Sequence, residues 1–242
     1  MDGSPLRVYR NAPNTIPRKG WAAGDACSRA LQLVFLARKG QPGARTVLSA
    51  PRWGFYANLF GGKSFTHPRP YACWVVQNVF FKCVPAEGHG ISAIDATLQQ
   101  AQRLRARGLD PRTSVAKIRL RTHAACMRII SKSGVLRNAA DRDHCVQYMI
   151  AVALLKGRPL EADDYANASA WAVDPDVDAL RERIEVSEDE TMTRDYLDPE
   201  VKTAANAVSI ELRNGEVLDE IIVHHPVAVS YTHLTLPTNR EV

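Results

Sequence analysis

The chain has 242 residues, 45% of them hydrophobic and 24% charged, enough to bury a core in one large domain or two small ones. Thirty-one basic against 26 acidic residues leave a formal charge of +5, a mild excess that suits an anionic metabolite as well as it suits nucleic acid. No apolar run approaches the ~18 residues of a membrane span, and Met1–Pro5 lacks the basic and apolar regions of a secretory signal. The five cysteines, at 27, 73, 83, 126 and 145, form no C-x-x-C pair, which argues against a disulfide framework, a zinc site or an iron–sulfur cluster. Unreactive buried thiols in a reducing cytoplasm are the expectation.

Residues 1–18, rich in Pro, Asn and Arg, read as loop. From Trp21 to Arg38 the apolar residues Ala22, Ala26, Ala30, Leu31, Val34, Phe35 and Leu36 recur at helical spacing, and Gly40 stands just past the helix end. Residues 41–70 are broken by Pro and Gly, with a short helical piece at Trp53–Leu59. Tyr71–Phe81 is apolar and delivers Lys82.

A denser stretch follows. Lys82, Glu87 and His89 fall within eight residues around the breaker Pro85. Lysine supplies fixed positive charge for a carboxylate, and Glu or His moves protons near neutral pH, so this is either a surface turn or a site at a domain junction. Beyond it, Ser92 and Asp95 suggest a capping box, and Ile91, Ile94, Leu98, Ala101 and Leu104 mark a helix that Gly108 ends. Val115–Arg121 alternates apolar Ala116, Ile118 and Leu120 with Lys117, Arg119 and Arg121, the pattern of a half-buried strand. One helix is predicted over Ala139–Lys156, capped by Asn138 and buried nearly all round. Asp174-Pro175 opens another, with Val177, Leu180 and Ile184 facing inward. Asn214-Gly215 predicts a type I′ hairpin between 207–213 and 216–223. Residues 83–225 alternate helix and strand, while 1–82 read as helical and irregular.

No glycine-rich phosphate loop, nucleophile elbow or zinc-binding helix is present. Five blocks nevertheless stand in a familiar order: Lys19–Ala26, Ala50–Tyr56, Phe81–His89, Arg121–Cys126 and Asn138–Met149. Together they resemble the C-terminal half of the MmgE/PrpD family, which includes 2-methylcitrate dehydratases, cis-aconitate decarboxylase and iminodisuccinate epimerase. The resemblance implies an α+β chain: the C-terminal part of an all-helical domain over 1–82, then an α/β lid over 83–229, with the site in the cleft between. It implies a hydro-lyase of propionate catabolism that turns 2-methylcitrate into 2-methylaconitate with no cofactor and no metal. The partner is then a small tricarboxylate rather than nucleic acid or membrane, and the full-length protein a cytoplasmic homodimer.

By position, Lys19 and Lys82 match cleft lysines of the decarboxylase relative and are expected to hold carboxylates, Lys82 also in the catalytic set. Glu87 falls where that relative has a histidine, and His89 lies two residues on, so the working acid or base is Glu87 or His89. His123 and His144 read equally as satisfied structural histidines, and Trp21 as core. Family members are about twice this length, so the chain is expected to be a fragment, inactive alone. Residues 230–242 resemble translated adaptor sequence and are expected to be a non-native tail. Within the family, decarboxylation of cis-aconitate or epimerisation of a related acid is the nearest alternative; a reading of another class, a basic anion- or RNA-binding module, rests on Arg103, Arg105, Arg107, Lys117, Arg119 and Arg121.

Overall fold

A computed structural model describes residues 15–66, 70, 72–73 and 82–226. The expectations for 1–14, for most of the apolar run 71–81 and for the tail 230–242 lie outside the described residues. The chain divides into two compact units: the described residues from 20 to 73 belong to one, and 15–19 with 82–226 to the other.

The first unit contains α1 (Ala22–Arg38) and α2 (Phe55–Leu59). α1 ends as its sequence dictates: Gly40 takes a φ of 81°, a left-handed conformation that glycine adopts at no steric cost. No residue of α1 is buried. Val34 and Phe35 are 52% and 58% exposed, and among the described residues nothing lies within 4 Å of a Cβ placed on Gly24, so the predicted apolar face forms but is not packed within its own unit. Around α2, Phe55, Tyr56, Phe60 and Phe65 cluster, with Phe60 and Phe65 edge to face at 5.0 Å.

The second unit carries α3 (Ile91–Ala106), α4 (Pro111–Ser114), β1 (Val115–Thr122), α5 (Ala124–Ile130), α6 (Ala139–Arg142), α7 (Val146–Lys156), α8 (Pro175–Glu182), β2 (Ile184–Glu188), α9 (Glu190–Leu197), β3 (Asn206–Leu212) and β4 (Val217–Val223). Helices and one four-stranded sheet bear out the α+β class. The sheet runs β2-β1-β3-β4; β1 pairs parallel with β2 and antiparallel with β3, and β3 antiparallel with β4. A parallel neighbour needs a crossover, and the stretch from α5 to α8 supplies it.

α3 packs against β3, β4 and α7, and α8 closes on α7. Ile94, Leu104, Ile118, Leu120, Met149, Ile150, Leu180 and Ile210 form the dry centre. Each such side chain contributes roughly 1.5–3 kcal/mol by leaving water. β1 buries Ile118 and Leu120 as expected and continues the alternation to Thr122, but Ala116 is only half-buried, because a register shift between Val115 and Lys117 puts Val115 in the core instead.

Five expectations are corrected. Ser92 caps no helix: its hydroxyl donates to the Ala204 carbonyl and accepts from Asn206 Nδ2 at 2.7 Å, and α3 begins after Gly90 without a side-chain cap. The predicted 139–156 helix is two helices, α6 and α7, parted at Asp143–Cys145. The hairpin turn is not type I′. Gly215 alone of its pair has positive φ, at 88°, and paired bonds from Gly215 N to Leu212 O and Leu212 N to Glu216 O make a three-residue loop with a glycine bulge. Cys126 and Cys145 are buried as expected, but Cys27, Cys73 and Cys83 are exposed. Trp21, read as core, is 62% exposed.

Candidate active site

Lys19, Lys82, Glu87, Asp143 and His144, with Pro85 and Ala86, line one cavity of about 330 Å³ in the second unit. Local structure explains each position. Lys19 sits in a 3-10 turn, Pro17–Trp21, whose approach is pinned at Thr15. The Thr15 N–H donates to Asp141 Oδ1 at 2.5 Å, its hydroxyl accepts from Lys132 Nζ at 2.7 Å, and its carbonyl from Asn138 Nδ2 at 3.1 Å. Lys82 folds back to donate to the Ala86 carbonyl at 2.8 Å.

The break between α6 and α7 brings in the opposite wall. The Asp143 carbonyl accepts from the Glu87 backbone N–H at 3.1 Å, a bond that fastens the Pro85–Glu87 loop to the gap between the helices. His144 Nδ1 lies 2.5 Å from Asp143 Oδ1, and its Nε2 contacts Lys19 Nζ. The cap residue Asn138 and the apolar run from Cys145 onward read as one continuous helix, so the sequence reading gave Asp143 no role and placed His144 among structural histidines. The Asp-Arg-Asp-His cluster at 141–144 is the signal that marks it.

Glu87 caps the 3-10 turn Gly88–Gly90 by accepting from the His89 N–H at 2.8 Å, and His89 Nδ1 lies 2.8 Å from Glu87 Oε2. A carboxylate only accepts, so Nδ1 donates to Glu87, and Nε2 lies 3.0 Å from the Tyr196 hydroxyl. His89 does not line the cavity. It touches it through Glu87 and faces Tyr196 and His123. Asn206 Nδ2 holds the His89 carbonyl at 2.8 Å. Tyr196, on α9, had no sequence reading, because α9 and β2 lie in a polar stretch with no strong apolar period.

The two cavity carboxyls are driven in opposite directions. Burial alone would raise Glu87, but its hydrogen bonds and charge contact with His89, aided by Lys19, outweigh it and hold the group below the usual carboxylate value. Burial pushes Asp143 up to about 6, against the pull of Lys19, Lys132 and Lys82. The cavity therefore sets a carboxyl that ionises readily on one wall against one that gives up its proton only near pH 6, hydrogen-bonded to His144, on the other. Among the described residues no group of three His, Cys, Asp or Glu is placed to hold a metal ion.

Gly90 keeps the loop seated. A Cβ there would lie 2.5 Å from Met149 Sδ and 3.3 Å from Ile130 Cδ1. Gly90→Ala is expected to lower stability by about 1–2 kcal/mol, the scale of overpacking, read as a shifted urea midpoint with an unchanged slope.

Family models match almost the whole chain: the MmgE/PrpD N-terminal domain over residues 1–68 and the MmgE/PrpD C-terminal domain over 84–238. The chain belongs to the MmgE/PrpD family. It is 52% identical over 221 residues to the 2-methylcitrate dehydratase-like protein oryR of Aspergillus oryzae, covering 91% of this chain and 45% of that protein. It is 47% identical over 228 residues to the 2-methylcitrate dehydratase of Escherichia coli K12 (94% and 46%). To the mitochondrial 2-methylcitrate dehydratase of Yarrowia lipolytica it is 48% identical over 230 residues (94% and 43%). The chain thus spans about half the length of the curated relatives it matches. Among the described residues no helix is long and apolar enough to cross a membrane. The cations of the RNA reading are mostly engaged: Arg107 pairs with Glu216, Lys117 with Glu185, Arg119 with Glu211 and Arg121 with Glu220, while Arg103 donates to the Asp219 carbonyl.

Proposed function

We propose that this chain carries part of the machinery of a hydro-lyase that dehydrates 2-methylcitrate to 2-methylaconitate in propionate catabolism. The observation that supports this reading most is the cavity itself, with two lysines beside two carboxyls shifted in opposite directions. A tricarboxylate needs fixed cations, and Lys19 and Lys82 supply them. Dehydration needs a base for the proton on the carbon beside a carboxylate and an acid for the departing hydroxyl; environments that push two groups apart assign those roles. Glu87, ionised and held by His89, accepts the proton as the C–H electrons form the double bond. The Asp143–His144 pair gives a proton to the leaving oxygen, which departs as water. His89 acts through Glu87, as its positioning residue and proton partner.

The same proposal assigns 1–82 to the C-terminal part of a helical domain and 83–229 to an α/β lid, with 230–242 as a non-native tail. It extends to a homodimer of the longer protein and to a cytoplasmic location, which sedimentation and fractionation test; the Yarrowia relative is named as mitochondrial.

The relatives being about twice as long, activity is best measured on residues 1–229 joined to the remaining segments of the Escherichia coli relative, with 2-methylcitrate supplied and the unsaturated acid followed. Lys82→Ala, Glu87→Gln and His89→Gln are each expected to lower turnover by about 10²-fold, and the unjoined chain to be inactive. His89→Gln should also move the acid limb of the pH–rate profile upward, because Glu87 loses the hydrogen bonds that depress it. A folded hybrid that ignores 2-methylcitrate but acts on cis-aconitate would overturn the substrate; variants within a few-fold of the parent would overturn the site.

A further inference from the structure

A second cavity, of about 530 Å³, shares no lining residue with the first. Its wall includes Arg142 from the end of α6, Arg181 from α8, Leu136 and Trp171. Two features set it apart from an ordinary surface cleft.

The first is Arg142, only 3% exposed. Its Nε donates to the Tyr165 carbonyl at 2.7 Å and its Nη2 to Asn167 Oδ1, both neutral acceptors, and among the described residues no carboxylate pairs with it. The second is Arg181, whose side chain is 8% exposed. Its Nη1 and Nη2 reach Asp178 Oδ1 at 2.5 Å and the Gly134 carbonyl at 2.8 Å, but its Nε is buried without a hydrogen-bond partner. Asp178 is 68% exposed, so water already screens much of its charge.

Buried guanidinium groups are stable when paired, and their planar fork matches a carboxylate. Here the cavity holds two of them, Arg142 with neutral acceptors alone and Arg181 with one exposed aspartate and an unpartnered Nε; Glu182 also lines it, and the volume is typical of a small-molecule site. Lys132 also lines it but is engaged with Thr15 and Asp141. The other wall, Trp171 and Leu136, is apolar. We propose that this cavity is a second binding site, for a small organic acid whose carboxylate pairs with Arg142 and Arg181 while its apolar body lies on Trp171 and Leu136. It goes beyond the dehydration reading and does not depend on it.

The test is calorimetric titration of the 242-residue chain with 3-phenylpropionate, with the neutral 3-phenylpropanol, and with inorganic phosphate as competitor. Arg142→Met risks misfolding, so Arg181→Met is the variant, and Lys82→Met controls for the first cavity. The expected result is saturable binding of the acid, weakened about tenfold by Arg181→Met, unchanged by Lys82→Met, and absent for the alcohol. Four results would overturn the proposal: no saturation by ~10 mM acid; equal binding of the alcohol; acid affinity unmoved in folded Arg181→Met; or loss of binding in Lys82→Met. Displacement of the acid by an equal concentration of phosphate would overturn the assignment to a carboxylate with an apolar body.

Discussion

Asp141→Ala is expected to cost the sheet-bearing unit about 3–5 kcal/mol, the penalty for removing one partner of a buried ion pair. The Asp141 side chain is 0% exposed and that of Lys132 4%, with Lys132 Nζ 3.4 Å from Asp141 Oδ1. The same carboxylate accepts from the backbone N–H of Thr15 at 2.5 Å and of Arg137 at 3.2 Å. Alanine therefore leaves the buried Lys132 ammonium with only the Thr15 hydroxyl and removes the acceptor of the buried Thr15 N–H and the part-buried Arg137 N–H. The double change Lys132→Met with Asp141→Leu removes the charges together and is expected to recover most of the loss. Urea unfolding of the three variants decides it. If the single and double changes are equally destabilising, packing rather than the stranded charge is responsible. Because Thr15 leads into the turn that carries Lys19, Asp141→Ala should also loosen one wall of the candidate site.

The second large effect is in acid. His123 is fully buried at the start of α5, where its Nδ1 accepts from the Cys126 N–H at 3.4 Å and its ring stacks on Tyr196 at 4.4 Å and 12°. Among the described residues its Nε2 has no hydrogen-bond partner. Burial first, then the neighbouring His89, bring its pKa down to about 4, while Glu87 opposes them weakly. The folded protein refuses a proton that the unfolded chain accepts at about 6.5. This contribution to stability is therefore intact above pH 6.5 and is lost as pH falls toward 4, by roughly 3 kcal/mol over that window. Asp143 works in the opposite sense: its raised pKa means the folded state gains as pH falls through 6. The His123 effect is isolated by comparing wild type with His123→Asn, which keeps an acceptor at the helix start but does not titrate. Stability of the variant should fall less between pH 6.5 and 4, by that amount; parallel pH curves would show that His123 is not the group refusing the proton.

Much of the architecture was legible because its causes are local. The periodicity of α3, the Asp174-Pro175 start of α8, the alternation of β1 and the glycines that end α1 and α3 each act over a turn or two of chain. Lys19, Lys82 and Glu87 were nameable from the resemblance, and the structure brings all three to one cavity. What the sequence did not disclose depends on partners distant along the chain. Asn138 and the apolar run after Cys145 argue for one helix, yet the Asp143 carbonyl bonds to Glu87, more than fifty residues earlier, and the helix parts there. Ser92 has the spacing of a cap, but Asn206 and Ala204, across the fold on and beside β3, claim its hydroxyl. Tyr196 reaches His89 only because β2 and α9 follow β1 in the sheet. The sequence by itself determined the family, the elements with a clean period and the residue types of the site. Tertiary structure alone decided where helices break, which carboxyl is the harder to ionise and which histidine faces the cavity, because those outcomes depend on burial and on hydrogen-bond partners that only folding brings together.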